Sequence, residues 1–401
     1  MPAFPYALTG IAAQLGDIVS MEEWARQLRI PHWRKPGEPV DGALVRRTLG
    51  VESKSWDAER FGSRKTVVEV AEQALLSARV PAADLDAVIV LTCTPFEVML
   101  DQDAFAMLRT LGVRDEVLPV VQGAGCGGLA RAVASIARAR AERALVVSYN
   151  CSSPVGVDAN GVLPHYTPGN GSHPYAQTLW MSGGLFSDGC SAVVFERDGN
   201  TEGRYLYSRD AQRFGDAEGF ADALVHYPGG GVNHPAGHPG STELSAFGMN
   251  SEAIKAYYRG GMLLNHQELS EERPGYEERV ARIYTHQASP ALVEGFWASS
   301  GLPVAKMPTH ARQLGNLVTS ATPVLCFTDV LDGVVGSGEP VCFSVVGAGP
   351  ERGAFLVRVR VPGPVTETAP RPRSTTGAGV PGASGAAGAS GVFTSAAPAA
   401  R

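Results

Sequence analysis

Between positions 116 and 150 apolar residues run first as a short continuous block, then at every third or fourth position, then as a block again. Residues 118–121 and 144–147 read as buried strands, and Leu129, Val133 and Ile136 as one face of a helix between them. That order predicts a βαβ unit, two parallel strands joined by a helical crossover. The same two periods predict a strand over 6–15 and a helix over 20–28, with Ser20 as N-cap and Glu23 in the capping-box position. They also predict a helix over 66–78, a strand over 85–91, a helix over 103–111 and a strand over 191–196.

A strand at 204–208 restarts the pattern, so a second half begins near Asn200. Helices are expected over 249–258, 276–281, 290–298 and from Pro323 toward Leu331. Strands are expected over 282–284, 340–346 and 354–361. Residues 30–42, 152–177 and 226–242 are rich in Gly, Pro and small polar residues and read as loops. His234 and His238 in the last of these have the spacing of a helical zinc pair, but Pro235 and Gly237 deny them a helix. Strands alternating with helices make the chain α/β. Its expected units are 1–199, 200–362 and a tail, 363–401, whose Ala, Gly, Pro, Ser and Thr offer too little apolar surface to offset ordering entropy.

Composition narrows the class. Hydrophobic residues make up 44% and charged residues 18%, enough for a large core. A formal charge of -6 gives no general attraction to nucleic acid or anionic membrane. The start of the chain lacks the basic and apolar order of a secretory signal, and no run of about 18 apolar residues occurs, so the expected location is the cytoplasm. Six cysteines without paired spacing read as reduced thiols rather than as a disulfide frame or zinc site.

One of those thiols stands apart. Cys126 lies at the corner between the first strand and the helix of the βαβ unit, among Gly123, Gly125, Gly127 and Gly128. Cysteine is often only a small buried hydrophobe, but glycines on both sides leave this one little apolar cover. At a helix N-terminus, unpaired N–H groups and the dipole favour thiolate, so a nucleophile is expected here. The spacing Gly123-x-Gly125-x-x-Gly128 also fits a dinucleotide-binding turn, yet the next strand ends in Ser148, Tyr149 and Asn150, without the carboxylate that would hold a ribose. His286 follows a strand of the second half, and Asn316 follows Gly315. A cysteine, a histidine and an asparagine at strand ends can converge on one cleft, although a lone histidine after a strand is more often structural and a Gly-Asn pair is usually a turn.

These pieces resemble, in order and spacing, the ketosynthase III branch of the thiolase superfamily over roughly residues 5–361. Cys126-Gly-Gly-Leu is similar to that family's Cys-x-Gly-Phe corner, and Phe186-Ser-Asp188-Gly189-Cys-Ser-Ala192 to its Phe-Gly-Asp-Gly-Ala-Gly-Ala strand. His286-Gln287-Ala288-Ser289 is similar to its His-Gln-Ala-Asn, and Gly315-Asn316 with Thr319-Ser320-Ala321 to its Gly-Asn-Thr-Ser-Ala-Ala. The resemblance implies two pseudo-repeated βαβαβαββ halves in five layers, a homodimer, and ping-pong acyl transfer through an acyl-Cys126 intermediate. It implies an oxyanion hole from the N–H groups of Cys126 and Ala348, with His286 and Asn316 stabilising the enolate of a decarboxylating malonyl-type thioester. Met99, at the partner's acyl tunnel, and Phe186, Val346, Gly347 and Gly349 would shape the substrate pocket. Acyl-CoA or acyl carrier protein thioesters would be the substrates, with no metal, flavin or nicotinamide.

Ser289, Ala291, Leu44 and Val346 depart from the family at positions that recognise carrier or acyl group, which points to other substrates than those of fatty-acid initiation, as in polyketide or other specialised metabolism. Two other readings remain open: an acyltransferase of the same fold acting on a hydroxyl or amine, and a non-enzymatic partner subunit.

Overall fold

The computed structural model describes residues 1–366 except 30, 31, 33, 34, 36, 98, 100, 124, 157–178, 210–224, 227–247, 250 and 348, and in addition 375–376. His234, His238 and Ala348 therefore lie outside the described residues.

Nine strands form one hydrogen-bonded series. The first half contributes β1 (Tyr6–Leu15), β2 (Ala87–Thr92), β3 (Pro119–Gly123), β4 (Arg143–Asn150) and β5 (Gly189–Arg197). The second contributes β6 (Arg204–Ser208), β7 (Arg282–Thr285), β8 (Pro340–Gly347) and β9 (Glu351–Val359). Along the series the order is β7-β8-β9-β1-β5-β4-β2-β3, with β6 also on β9. The internal repeat is visible in the pairing. β2 and β4 are parallel, β4 and β5 antiparallel, and β5 and β1 antiparallel. In the same sequence β7 and β8 are parallel, β8 and β9 antiparallel, and β9 and β6 antiparallel. A parallel contact of β1 with β9 joins the halves.

Six helices complete five α/β/α/β/α layers: α1 (Lys65–Ala78), α2 (Asp101–Leu111), α3 (Gly128–Ala139), α4 (Ser251–Glu272), α5 (Pro290–Ser300) and α6 (Ala321–Leu331). Both faces of the strands are buried, and period-2 alternation sorts their side chains. Ile89, Leu91, Val341 and Phe343 face a core shared with Leu129, Val133, Val324 and Leu325 of the central pair α3 and α6. Val88 and Val90 face α1 and α2, while Cys342 and Val346 face α4 and α5.

Several expectations need revision. The helix expected over 249–258 is longer: α4 runs from Ser251 to Glu272. Gly261 lies under β8, where a Cβ would come within 2.9 Å of the Val346 side chain, so the glycine serves close packing. Ser20 caps the helix Met21–Leu28 by accepting from the Glu23 N–H, but the Glu23 carboxylate pairs with Arg26 and Gln27 instead of closing the capping box. A further helix, Gly42–Leu49, follows the proline-rich stretch. Within the tail, Thr375–Thr376 pairs antiparallel with Pro308–Thr309, a contact that composition does not predict. Among the described residues, no helix is long and apolar enough to cross a membrane.

Candidate active site

The repeat explains how distant residues meet. Cys126 sits between β3 and the N-terminus of α3, and Asn316 holds the matching place before α6. Its Nδ2 donates toward the Cys126 Sγ across 3.8 Å, though 190 positions separate the two. His286 follows β7 and lines the same cavity of about 360 Å³, together with Phe186, Val346 and Gly347.

Each side chain is held by its neighbours. Gly315 has φ +66°, and a Cβ there would lie 2.6 Å from the Leu185 carbonyl, so only glycine permits this turn. Asn316 N–H donates to Leu185 O and Asn316 O accepts from Ser187 N–H, which fixes the loop against Phe186. The Val318 N–H donates to Asn316 Oδ1 at 2.8 Å, leaving the amide nitrogen aimed at sulfur. Val318 takes φ +54° to do this, a strained conformation for a β-branched residue. The Thr319 hydroxyl donates to Gly125 O, tying this loop to the cysteine turn. Behind His286, Gln287 accepts from the Thr309 hydroxyl and the His310 N–H. Tyr258 of α4 donates to His286 O at 2.7 Å.

Asp188 is fully buried and accepts from the Asp57 and Ser153 N–H groups. Beside it the buried Lys54 donates to Gly183 O and Phe186 O, between the faces of Trp24 and Trp56. The Phe-Ser-Asp-Gly stretch is thus a brace for the Asn316 loop.

The electrostatics reverse the thiolate expectation. Cys126 is half-buried, but the surface it exposes faces the cavity rather than bulk water. Desolvation therefore dominates and pushes the thiol up to about 12; the nearby Cys93 adds to this, while the Asn316 amide opposes it. The dipole of α3 does not outweigh burial. Iodoacetamide alkylation of Cys126, followed by peptide mass spectrometry, is expected to rise about tenfold per pH unit from 7 to 10 without the plateau near 8.5 of an ordinary thiol.

Burial pushes His286 down to about 3, and does the same to His266 and His310. All three stay neutral in the folded protein where the unfolded chain binds protons near pH 6.5. The unfolded state takes up the extra protons, so stability is full above about pH 6.5 and falls as pH drops toward 3. Each histidine contributes up to about 1.4 kcal/mol per pH unit in that window. Urea unfolding at pH 7 and pH 5 checks it: the midpoint should be clearly lower at pH 5.

In the cysteine turn it is Gly127 that acts through proximity. None of Gly123, Gly125, Gly127 or Gly128 has positive φ. A Cβ on Gly127 would lie 2.6 Å from the Glu351 side chain, and one on Gly347 would lie 2.5 Å from Gly127 N. Met99 is 72% exposed and does not line the cavity. Gly349 is also outside the lining, whereas Ser289 and Ala291 belong to it. Ser289 N-caps α5 as well. Leu44 packs against the Trp24 cluster instead. α4 also lines the cavity, through Ile254, Lys255, Tyr257, Tyr258 and Arg259, none of which carries a motif in the sequence.

No family model matches the sequence. The β-ketoacyl-[acyl-carrier-protein] synthase III of Ruegeria sp. (strain TM1040) is 24% identical over 326 residues, 78% of this chain and 89% of that protein. The synthase of the same name from Oleidesulfovibrio alaskensis is 26% identical over 323 residues, 80% and 91%. Among solved structures, the 3-oxoacyl-(acyl carrier protein) synthase III, FabH, of Pseudomonas aeruginosa PAO1 superposes with TM-score 0.67 at 19% identity, covering 90% of this chain and 99% of that one. Cerulenin-bound OleA from Xanthomonas campestris gives 0.69 at 16%, covering 88% and 97%. The fold is that of the thiolase superfamily, and the chain is an enzyme of that superfamily. Within it, the curated relatives cited carry the name β-ketoacyl-[acyl-carrier-protein] synthase III, and the chain is similar to them along most of their length.

Proposed function

We propose that the protein forms an acyl-Cys126 intermediate and condenses it with a malonyl-type thioester by decarboxylative Claisen chemistry. The observation that carries this reading is the Asn316 amide held 3.8 Å from the Cys126 sulfur inside a cavity that His286 shares. Cys126 attacks the acyl thioester carbonyl. Neither thiolate nor imidazolium is stable alone in so dry a site, so proton transfer from sulfur to His286 accompanies the attack. The oxyanion is met by the Cys126 N–H and by an amide of the 347–349 turn, which we assign to Ala348. The carrier thiol leaves with the proton. In the second stage the neutral His286 and the Asn316 amide donate to the thioester oxygen of the malonyl group. Carbon dioxide departs, and the resulting carbanion attacks the acyl carbon; the carbon–sulfur bond breaks with its electron pair on Cys126, and a proton from solvent restores the thiol.

The thioester supplies its own activation, so this sequence of steps calls for no metal or redox cofactor. Substrates on coenzyme A or an acyl carrier protein, a homodimer in the cytoplasm and a place in polyketide or other specialised metabolism belong to the same proposal. The apolar lining from Met181, Leu185, Met249, Ile254 and Leu292 favours a hydrocarbon acyl chain.

The test is intact-protein mass spectrometry after incubation with a panel of acyl thioesters, followed by carboxyl-labelled malonyl thioester. A mass gain on Cys126 and release of label as carbon dioxide support the reading. A mass gain without carbon dioxide, but with transfer to an alcohol or amine, points to the acyltransferase instead. Absence of every adduct overturns both.

A further inference from the structure

Two glycine turns approach each other at the sulfur, and one side chain fills the space between them. Glu351 opens β9 directly opposite Gly347 in the hairpin register. Its Cγ occupies the position that a Cβ on Gly127 would need, 2.6 Å away, and lies 3.2 Å from where a Gly347 Cβ would stand. The residue is 3% exposed. Its carboxylate accepts two bonds from Arg131, Nε to Oε2 at 3.0 Å and a terminal guanidinium nitrogen to Oε1 at 2.7 Å. Oε2 also accepts from the Tyr207 hydroxyl at 2.8 Å. Arg131 belongs to α3, the helix that starts just after Cys126, and Tyr207 to β6. A bidentate guanidinium clamp fixes both distance and angle.

We propose that Glu351 is a positioning residue that sets the spacing between the Cys126 turn and the 347–349 turn, and with it the geometry of the oxyanion hole. Core packing alone would ask only for an apolar side chain at this place. The three-element clamp on a buried carboxylate does more, because it couples α3, which starts just after the Cys126 turn, to the hairpin that contains Gly347 and to β6. An oxyanion hole works only when its donors are held in place before charge develops. Even small displacements there cost rate. The proposal rests on acyl transfer at Cys126.

The test separates two reactions of one sulfur. Acylation by an acyl thioester passes through an oxyanion, whereas alkylation by iodoacetamide does not. In Glu351→Ala, acylation should slow about 100-fold or more, while alkylation of Cys126 stays within about threefold of wild type or becomes faster, because a negative charge beside the thiol is gone. Glu351→Gln keeps the stem but can accept only one of the two guanidinium bonds, so its acylation rate should fall clearly below wild type yet above Glu351→Ala. Tyr207→Phe, the milder change should Glu351→Ala fail to fold, removes one donor and should slow acylation about fivefold with alkylation unchanged. Wild-type acylation rates in the variants, or equal loss of both reactions, would overturn the proposal. If wild type itself forms no acyl-enzyme while Cys126 alkylates normally, the acyl-transfer reading falls and this proposal with it.

Discussion

Cys126→Ala is expected to abolish the acyl-enzyme: no mass gain with any acyl thioester, and turnover lower by on the order of 10⁴-fold or more. Loss of a nucleophile removes the covalent path entirely, since none of the groups that line the cavity with it replaces a thiol. Cys93 is the instructive control. It is also half-buried, its thiol is likewise pushed up to about 12 by desolvation, and its charge is felt at Cys126. What Cys93 lacks is the position at the N-terminus of α3 beside Asn316. A Cys93→Ala variant should therefore keep its acyl-enzyme. The Cys126 substitution removes one half-buried sulfur and should leave thermal unfolding within a few degrees of wild type. Acylation surviving in Cys126→Ala would move the chemistry elsewhere.

The elements that carry these residues were legible because they are short-range features. Apolar blocks and helical spacing mark β3, α3 and β4 to within a few residues, and the cysteine falls at their corner. The reversals arise from burial and proximity, which a linear chain does not display. Glycines around Cys126 read as conformational freedom, yet two halves pack so closely there that Gly127 and Gly347 are needed for space. A thiol before a helix reads as a thiolate until the cavity around it is known, because desolvation acts in three dimensions while the dipole can be inferred from one. The helix expected over 249–258 extends to Glu272 because Gly261 lets it pack closely against Val346 of β8. Asn316 had the least local signal of the three, a Gly-Asn pair that looks like any turn. Its role emerges from the repeat that sets it opposite Cys126, and from Val318, whose strained N–H contact orients the amide.

That orientation leads to the sharpest division of labour. With Oδ1 occupied by the Val318 N–H, the Asn316 Nδ2 is the group left to donate into the cavity, and a donor beside the sulfur is placed for the second substrate's oxygen. Asn316→Ala should therefore slow decarboxylation of a malonyl thioester by about 100- to 1000-fold, the loss typical of one oxyanion donor, while acylation of Cys126 slows less than about tenfold. His286→Ala should depress both half-reactions by about 100- to 10,000-fold, because the imidazole takes the thiol proton in the first and donates in the second. Rapid-quench mass spectrometry reads acylation, and trapped labelled carbon dioxide reads decarboxylation. Since His286 stays neutral down to about pH 3, its removal should erase rate without adding or deleting an inflection between pH 6 and 8. If both variants depress the two half-reactions equally, the amide and the imidazole share one task, and decarboxylation has no donor of its own in this cavity. If Asn316→Ala leaves the overall reaction intact, the second substrate carries no thioester oxygen for the amide to hold, and a hydroxyl or amine acceptor replaces the malonyl group.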